Sequence, residues 1–121
     1  VFSTLHTSSA AEAVERIVDV FEGTKQKQIL IQLGAVLRGI VAQQLIPTTD
    51  GKLVAAREIL VNSPAVANLI KENNIAQLRS AMQTGAREGM IPMEKSLAEL
   101  VKAGIVDKDV AERRIGRQKK I

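Results

Sequence analysis

"AQQLIPTTDGKLVAAREILV", residues 42–61, is the stretch on which the fold turns. Two apolar runs, 42–46 and 52–61, flank the sequence PTTDG. The Asp50-Gly51 pair offers the positive backbone angle that a tight reversal requires. The pattern predicts a β-hairpin. Its second run is apolar almost without break apart from Arg57-Glu58, which predicts a strand covered on both faces, as in an α/β sheet.

Upstream, Ser9 and Glu12 have capping-box spacing, in which a hydroxyl and a carboxylate satisfy free backbone N–H groups at a helix start. Val14, Ile17, Val18 and Phe21 then recur at helical spacing and predict one apolar stripe. Gly23 and Thr24 separate this helix from a longer one. Its apolar positions, Ile29, Leu30, Leu33, Val36, Leu37, Ile40 and Val41, predict a main core helix. "VFSTL", residues 1–5, reads as a strand entered midway, and position 1 is not methionine. The chain is therefore expected to be a piece of a longer protein.

Downstream, the pattern is helical throughout. Ser63 caps and Pro64 takes the first helical position of a helix reaching Glu72, with Val66, Leu69 and Ile70 inward. Asn73-Asn74 breaks it. Ile75, Leu78 and Met82 mark the next helix, ended by Gly85. Pro92 opens another, with Met93, Leu97, Leu100 and Val101 inward and Gly104 as its stop. Asp107 can cap a last helix carrying Val110 and Ile115. Gly85 and Gly89 read as turn residues, Met90 and Met93 as core fillers. The chain thus divides into an α/β portion, 1–61, and a helical portion, 62–121.

Composition narrows the chemistry. The 121 residues are 45% hydrophobic and 25% charged, as in globular proteins, and Phe2 and Phe21 are the only aromatics, so the core must be aliphatic. With no cysteine, disulfides and thiolate metal sites are excluded, a single histidine makes zinc unpromising, and no metal site is expected. No apolar stretch approaches the roughly 18 residues of a membrane span and no signal peptide is evident, which predicts a cytoplasmic protein. The net charge of +4 owes much to "RRIGRQKK", residues 113–120. A basic tail can hold phosphates, but without aromatic stacking partners it reads as a solvated terminus, and no nucleic acid is expected as a partner.

No G-x-x-x-x-G-K-[ST] loop is present, so the 121 residues carry no phosphate-cradling lysine motif. The other acidic residues sit at helix starts or opposite Lys and Arg, the pattern of a solvated face. His6 remains. It follows the strand-like run and precedes Thr7, Ser8, Ser9 and a capped helix. In open α/β sheets that edge is where ligands bind, and a helix N-terminus can hold an anion. The same position suits a half-exposed loop histidine bonded to a backbone carbonyl.

"VFSTLHTSSAAEAVERIVDVF" resembles the His-box segment of the secretion ATPase superfamily, and most of all that of the type IV pilus retraction (twitching motility) motors. The similarity continues through "QLGAVLRGIVAQQLIP", "DGKLVAAREILVNSPAVANLIKE" and "MQTGAREGMIPMEKSLAELVKAGIV", in the family's order and over nearly the whole chain. This resemblance implies the C-terminal portion of a RecA-like P-loop ATPase core followed by a small helical bundle, with Walker A, the aspartate-rich box and Walker B upstream of Val1. It implies that His6 is the catalytic His-box residue near the γ-phosphate, orienting the surroundings of the attacking water or reporting the γ-phosphate, with Thr7 and Ser8 in support. "AVANLIKE", residues 65–72, resembles the helix that retraction motors need for pulling. Ala65, Asn68, Leu69, Ile70 and Glu72 agree with it, whereas Ala67 and Lys71 stand where the family carries arginine, and a guanidinium fork is lost at each.

The resemblance further implies a homo-hexamer using ATP and Mg, bound at the inner face of the cytoplasmic membrane and working with an inner-membrane pilus platform protein and the pilus machinery. The 121 residues alone are expected to hold neither nucleotide tightly nor hydrolyse it. Two alternatives stand beside this reading. One is a type II secretion or pilus assembly ATPase, though such relatives commonly carry paired C-x-x-C motifs that this chain lacks. The other is a non-catalytic module in which residues 62–118 dock a membrane platform partner.

Overall fold

The computed structural model describes residues 2–119, with side chains described through residue 116. Val1 and the end of the basic tail, Lys120, lie outside the described residues. The elements follow in the order α1 (Ala10–Asp19), α2 (Gly23–Val36), β1 (Gly39–Pro47), β2 (Leu53–Val61), α3 (Pro64–Lys71), α4 (Leu78–Thr84), α5 (Met93–Lys102) and α6 (Lys108–Lys119). Short 3-10 turns at Ile75–Gln77 and Ala86–Glu88 lead into and out of α4. The fold is α/β, with helices gathered about one small antiparallel sheet.

The predicted hairpin is that sheet. β1 and β2 pair antiparallel from Gly39 opposite Val61 to Pro47 opposite Leu53. The reversal rests on Gly51, whose φ of +82° a side chain would disfavour. Thr48 N–H donates to the Lys52 carbonyl at 2.8 Å, and the Lys52 N–H donates to Thr48 Oγ1 at 2.9 Å. Burial alternates along both strands. Ala42, Gln44, Ile46, Ala56, Glu58 and Leu60 face inward, while Val41, Leu45 and Leu53 are exposed on the other face. The strand predicted to be covered on both faces is thus buried on one, while on the other Ala55, Ile59 and Val61 are half-buried and Leu53 and Arg57 exposed.

Further expectations are corrected. Residues 2–7 form no strand. A strand exists through backbone pairing, and among the described residues the sheet consists of β1 and β2, with a single bridge at the β2 edge where the Ile91 N–H and carbonyl bond Ile59 at 2.9 and 2.8 Å. The second helix also ends earlier than its apolar stripe suggests. Leu37 turns extended (ψ +136°), and Ile40 and Val41 enter β1, where β-branched side chains fit the pleat and the backbone pairs with β2. Phe21, expected inward, is exposed beyond the end of α1, and Gly23 begins α2 rather than lying between helices.

The inner face of the hairpin serves two apolar clusters. Toward Leu60, α1, α2, α3 and α4 contribute Val14, Val18, Leu30, Val66, Ile70, Leu78 and Met82. Toward Ile46 and Ala56, α5 and α6 contribute Met93, Leu97 and Ala111, with Val106 from the connection between them. The downstream helix punctuation follows the sequence closely. Ser63 Oγ accepts the Val66 N–H at 3.2 Å, Asn73 adopts a positive φ of 57°, and Gly104 ends α5 with φ +76°.

Helices α2 and α3 cross closely at Gly34. A methyl group there would lie 3.0 Å from the Ala67 carbonyl oxygen and 2.8 Å from Lys71 Cγ. Lysine can swing aside, whereas the α3 backbone cannot move without disturbing Ile70. Overpacking of this kind costs about 1–3 kcal/mol, against a helix-propensity gain of under about 1 kcal/mol. Gly34→Ala is therefore expected to lower stability by about 1 kcal/mol or more, read as a fall in the urea midpoint. An unchanged or raised midpoint would show that α2 and α3 have room at their crossing.

Candidate functional site

The expected site residues fall at two separate places. His6 lies in the irregular segment before α1 and is exposed, with Thr7 and Ser8 half-buried behind it. Immediately downstream the backbone is pinned. Ser9 caps α1 as expected, its Oγ accepting the Glu12 N–H at 3.1 Å. The returning contact of Glu12 differs by one residue from the expected box: its Oε2 accepts the Ser8 N–H at 3.3 Å and the Ser8 hydroxyl at 3.2 Å.

Two side chains from the sheet complete this arrangement, and neither was singled out as functional from the sequence. Gln44 on β1 donates through Nε2 to the Ser8 carbonyl at 3.2 Å. Glu58 on β2, only 2% exposed, accepts the Ala10 N–H on Oε1 at 2.8 Å and the Met93 N–H on Oε2 at 3.1 Å. One carboxylate therefore receives the first N–H of both α1 and α5, where helix ends carry unpaired donors and partial positive charge. The available signal was parity: Glu58 shares an inner-facing register with Ala56 and Leu60, so a buried acid was readable once the hairpin register was known. Its two partners were not, because they lie 48 and 35 residues away in sequence.

Burial pushes the Glu58 carboxyl above its ordinary pKa. The N–H groups of Ala10 and Met93 oppose this, Glu94 adds to it and Arg79 opposes it. Arg79 on α4 and Glu94 on α5 themselves form an ion pair beside this site.

The second place is α3. Ile70 is fully buried in the cluster around Leu60 and Leu69 is half-buried against it. Ala65, Asn68 and Glu72 are exposed and recur at helical spacing, giving one solvent-facing stripe. Ala67 is half-buried with its carbonyl against Gly34. His6, in the segment before α1, and this stripe on α3 belong to different parts of the chain.

No protein-family model matches the chain. Known proteins do. It is 45% identical over 115 residues to a twitching motility protein of Neisseria gonorrhoeae, covering 94% of this chain and 31% of that protein. It is 40% identical over 111 residues to the type IV pilus retraction ATPase PilT of Pseudomonas aeruginosa, covering 92% of this chain and 32% of PilT. Among solved structures, the pilus retraction motor PilT with bound ADP superposes with a TM-score of 0.76 at 37% identity, over 88% of this chain and 29% of that one. Fold and sequence together make the chain a relative of the pilus ATPases. Within that class it is homologous to PilT-type retraction ATPases, spanning about a third of the length of the relatives it matches.

Two predictions follow from these environments. Ile70→Ala empties a buried site and is expected to lower stability by about 2–4 kcal/mol, whereas exposed Asn68→Ala stays within about 0.5 kcal/mol of the parent. Urea unfolding of both variants checks the contrast, and equal losses would place Asn68 in the packing.

Glu58 sets a pH dependence. A carboxyl whose pKa is higher folded than unfolded binds more protons in the folded state between the two values, so stability falls as pH rises through that interval. The urea midpoint should therefore decline from pH 4.5, the ordinary value, until Glu58 is ionised. In Glu58→Gln that decline should be smaller. Parallel pH profiles for the two proteins would mean that Glu58 contributes none of it.

Proposed function

We propose that this chain is the C-terminal part of a hexameric, ATP-hydrolysing motor that powers type IV pilus retraction and twitching motility. The observation that carries the reading is its similarity, over nearly its whole length, to a twitching motility protein and to a retraction ATPase. In this reading residues 1–61 close the RecA-like core and residues 62–121 form the C-terminal helical portion. The motor works in the cytoplasm at the inner face of the membrane, against an inner-membrane platform protein. Among the described residues no helix is long and apolar enough to cross a membrane.

The residues present do not by themselves suit the nucleotide and its metal. The sequence has no phosphate-cradling loop, and the described residues hold no group of three carboxylate or imidazole ligands. ATP and Mg would thus be held by residues outside these 121, and this chain contributes an edge of the site. His6 supplies that edge. It is exposed on an irregular segment whose following residues are anchored to the sheet, so its imidazole can reach a neighbouring surface from a defined base. Thr7 and Ser8 support its backbone rather than sharing its chemistry. On α3, the exposed stripe of Ala65, Asn68 and Glu72 serves contacts of the assembled motor, while Leu69 and Ile70 hold the helix in place.

In the full-length motor, His6→Ala is expected to lower ATP turnover by about a hundredfold or more, the lower range for loss of a positioned proton-handling group. The sedimentation profile of the ring should not change. The 121 residues alone should show no turnover above their own His6→Ala control. Full turnover by the His6→Ala ring would remove His6 from the hydrolytic machinery.

A further inference from the structure

We propose that Gln44 and Glu58 are positioning residues that together aim the His6 segment, a role that rests on the reading of His6 given above. Among the described residues these are the buried polar side chains of the chain, at 9% and 2% exposure. Their neighbours on the inner face of the hairpin, Ala42, Ile46, Ala56 and Leu60, are all apolar and buried. Packing alone would be met by aliphatic groups, and burying an amide and a carboxylate is costly unless each finds partners. Both find them in the same short stretch, residues 8–10.

The hairpin register explains how. Ala42 lies opposite Glu58 and Gln44 opposite Ala56, so the two polar side chains are diagonal neighbours on one face. Gln44 holds the Ser8 carbonyl at 3.2 Å and Glu58 the Ala10 N–H at 2.8 Å, which restrains both ends of the stretch. The carboxylate cannot swivel to follow a moving segment, because its other oxygen is held by the Met93 N–H at 3.1 Å. Ser9 caps α1 through the Glu12 N–H, and the carboxylate adds a hold on the first N–H of the helix that ties it to the sheet.

The leverage is large. His6 lies two Cα steps of ~3.8 Å upstream of Ser8, so a tilt of ~10° at Ser8 moves its Cα by ~1 Å. A misplacement of that size can cost a chemical step ~10²-fold. The two strands thus set the direction of the imidazole without touching it.

The test pairs kinetics of the full-length motor with amide measurements on the 121-residue chain. Gln44→Leu keeps the bulk and removes the amide. It should lower kcat about tenfold while leaving KM within about twofold. The double variant His6→Ala/Gln44→Leu should turn over no more slowly than His6→Ala, because a positioning residue has nothing left to position. Losses that multiply, or a parental kcat for Gln44→Leu, would overturn the proposal even where His6→Ala is impaired. Parental turnover of His6→Ala would instead sink the reading of His6 itself. The tether is then judged separately: Glu58→Gln should speed hydrogen exchange of the Ala10 amide, and Gln44→Leu should shift the Thr7 and Ser8 amide resonances. Unchanged exchange and unchanged resonances would show that neither side chain restrains the segment.

Discussion

A single buried carboxylate joins the parts of this fold. Glu58 sits on β2 between Leu60, which belongs to the cluster of α1 to α4, and Ala56, which belongs to the cluster of α5 and α6. Taking its charge out of water is unfavourable, and its pKa rises accordingly. Two charge-assisted hydrogen bonds and the positive ends of two helices offset that cost. An aliphatic side chain there would remove the desolvation penalty but leave the first N–H groups of α1 and α5 without their partner. The acid is therefore tied to the angle at which both helices leave the sheet.

Around that contact the hairpin acts as a common floor. Its inner face is shared by two apolar clusters that are otherwise built from separate helices, and Ile91 and Ser96 attach the α5 side directly to the β2 backbone. Its outer face carries Val41, Leu45 and Leu53 in the open.

The arrangement separates an anchored base from an exposed end. Residues 8–10 are held by Glu12, Gln44 and Glu58, while His6 stands just beyond them. On α3 the division is across the helix: Ile70 is in the core and Asn68 faces solvent, so neighbouring positions of one motif serve packing and surface separately. His6 and the exposed stripe of α3 thus lie on different parts of one frame.

Much of this was legible in the chain itself, for reasons that are local. Asp50-Gly51 between apolar runs, Ser9 before Glu12, Ser63-Pro64, Asn73 and Gly104 each specify a turn, cap or stop through their own backbone and near neighbours, and each appears where it was read. The errors came where a local pattern had two outcomes. Ile40 and Val41 continue a helical stripe equally well as they begin a strand, and only pairing with β2 decides between them. Residues 2–5 have strand-forming composition, yet strand structure requires a partner backbone, and among the described residues the sheet consists of β1 and β2. The roles of Gln44 and Glu58 were beyond reach for the same reason. Sequence by itself determined where the chain turns and which faces are apolar, because those depend on residues within a turn or two. Tertiary structure alone decided which distant N–H and carbonyl groups meet a buried amide and acid, because hydrogen-bond partners 35 to 48 residues apart are chosen by packing, not by propensity.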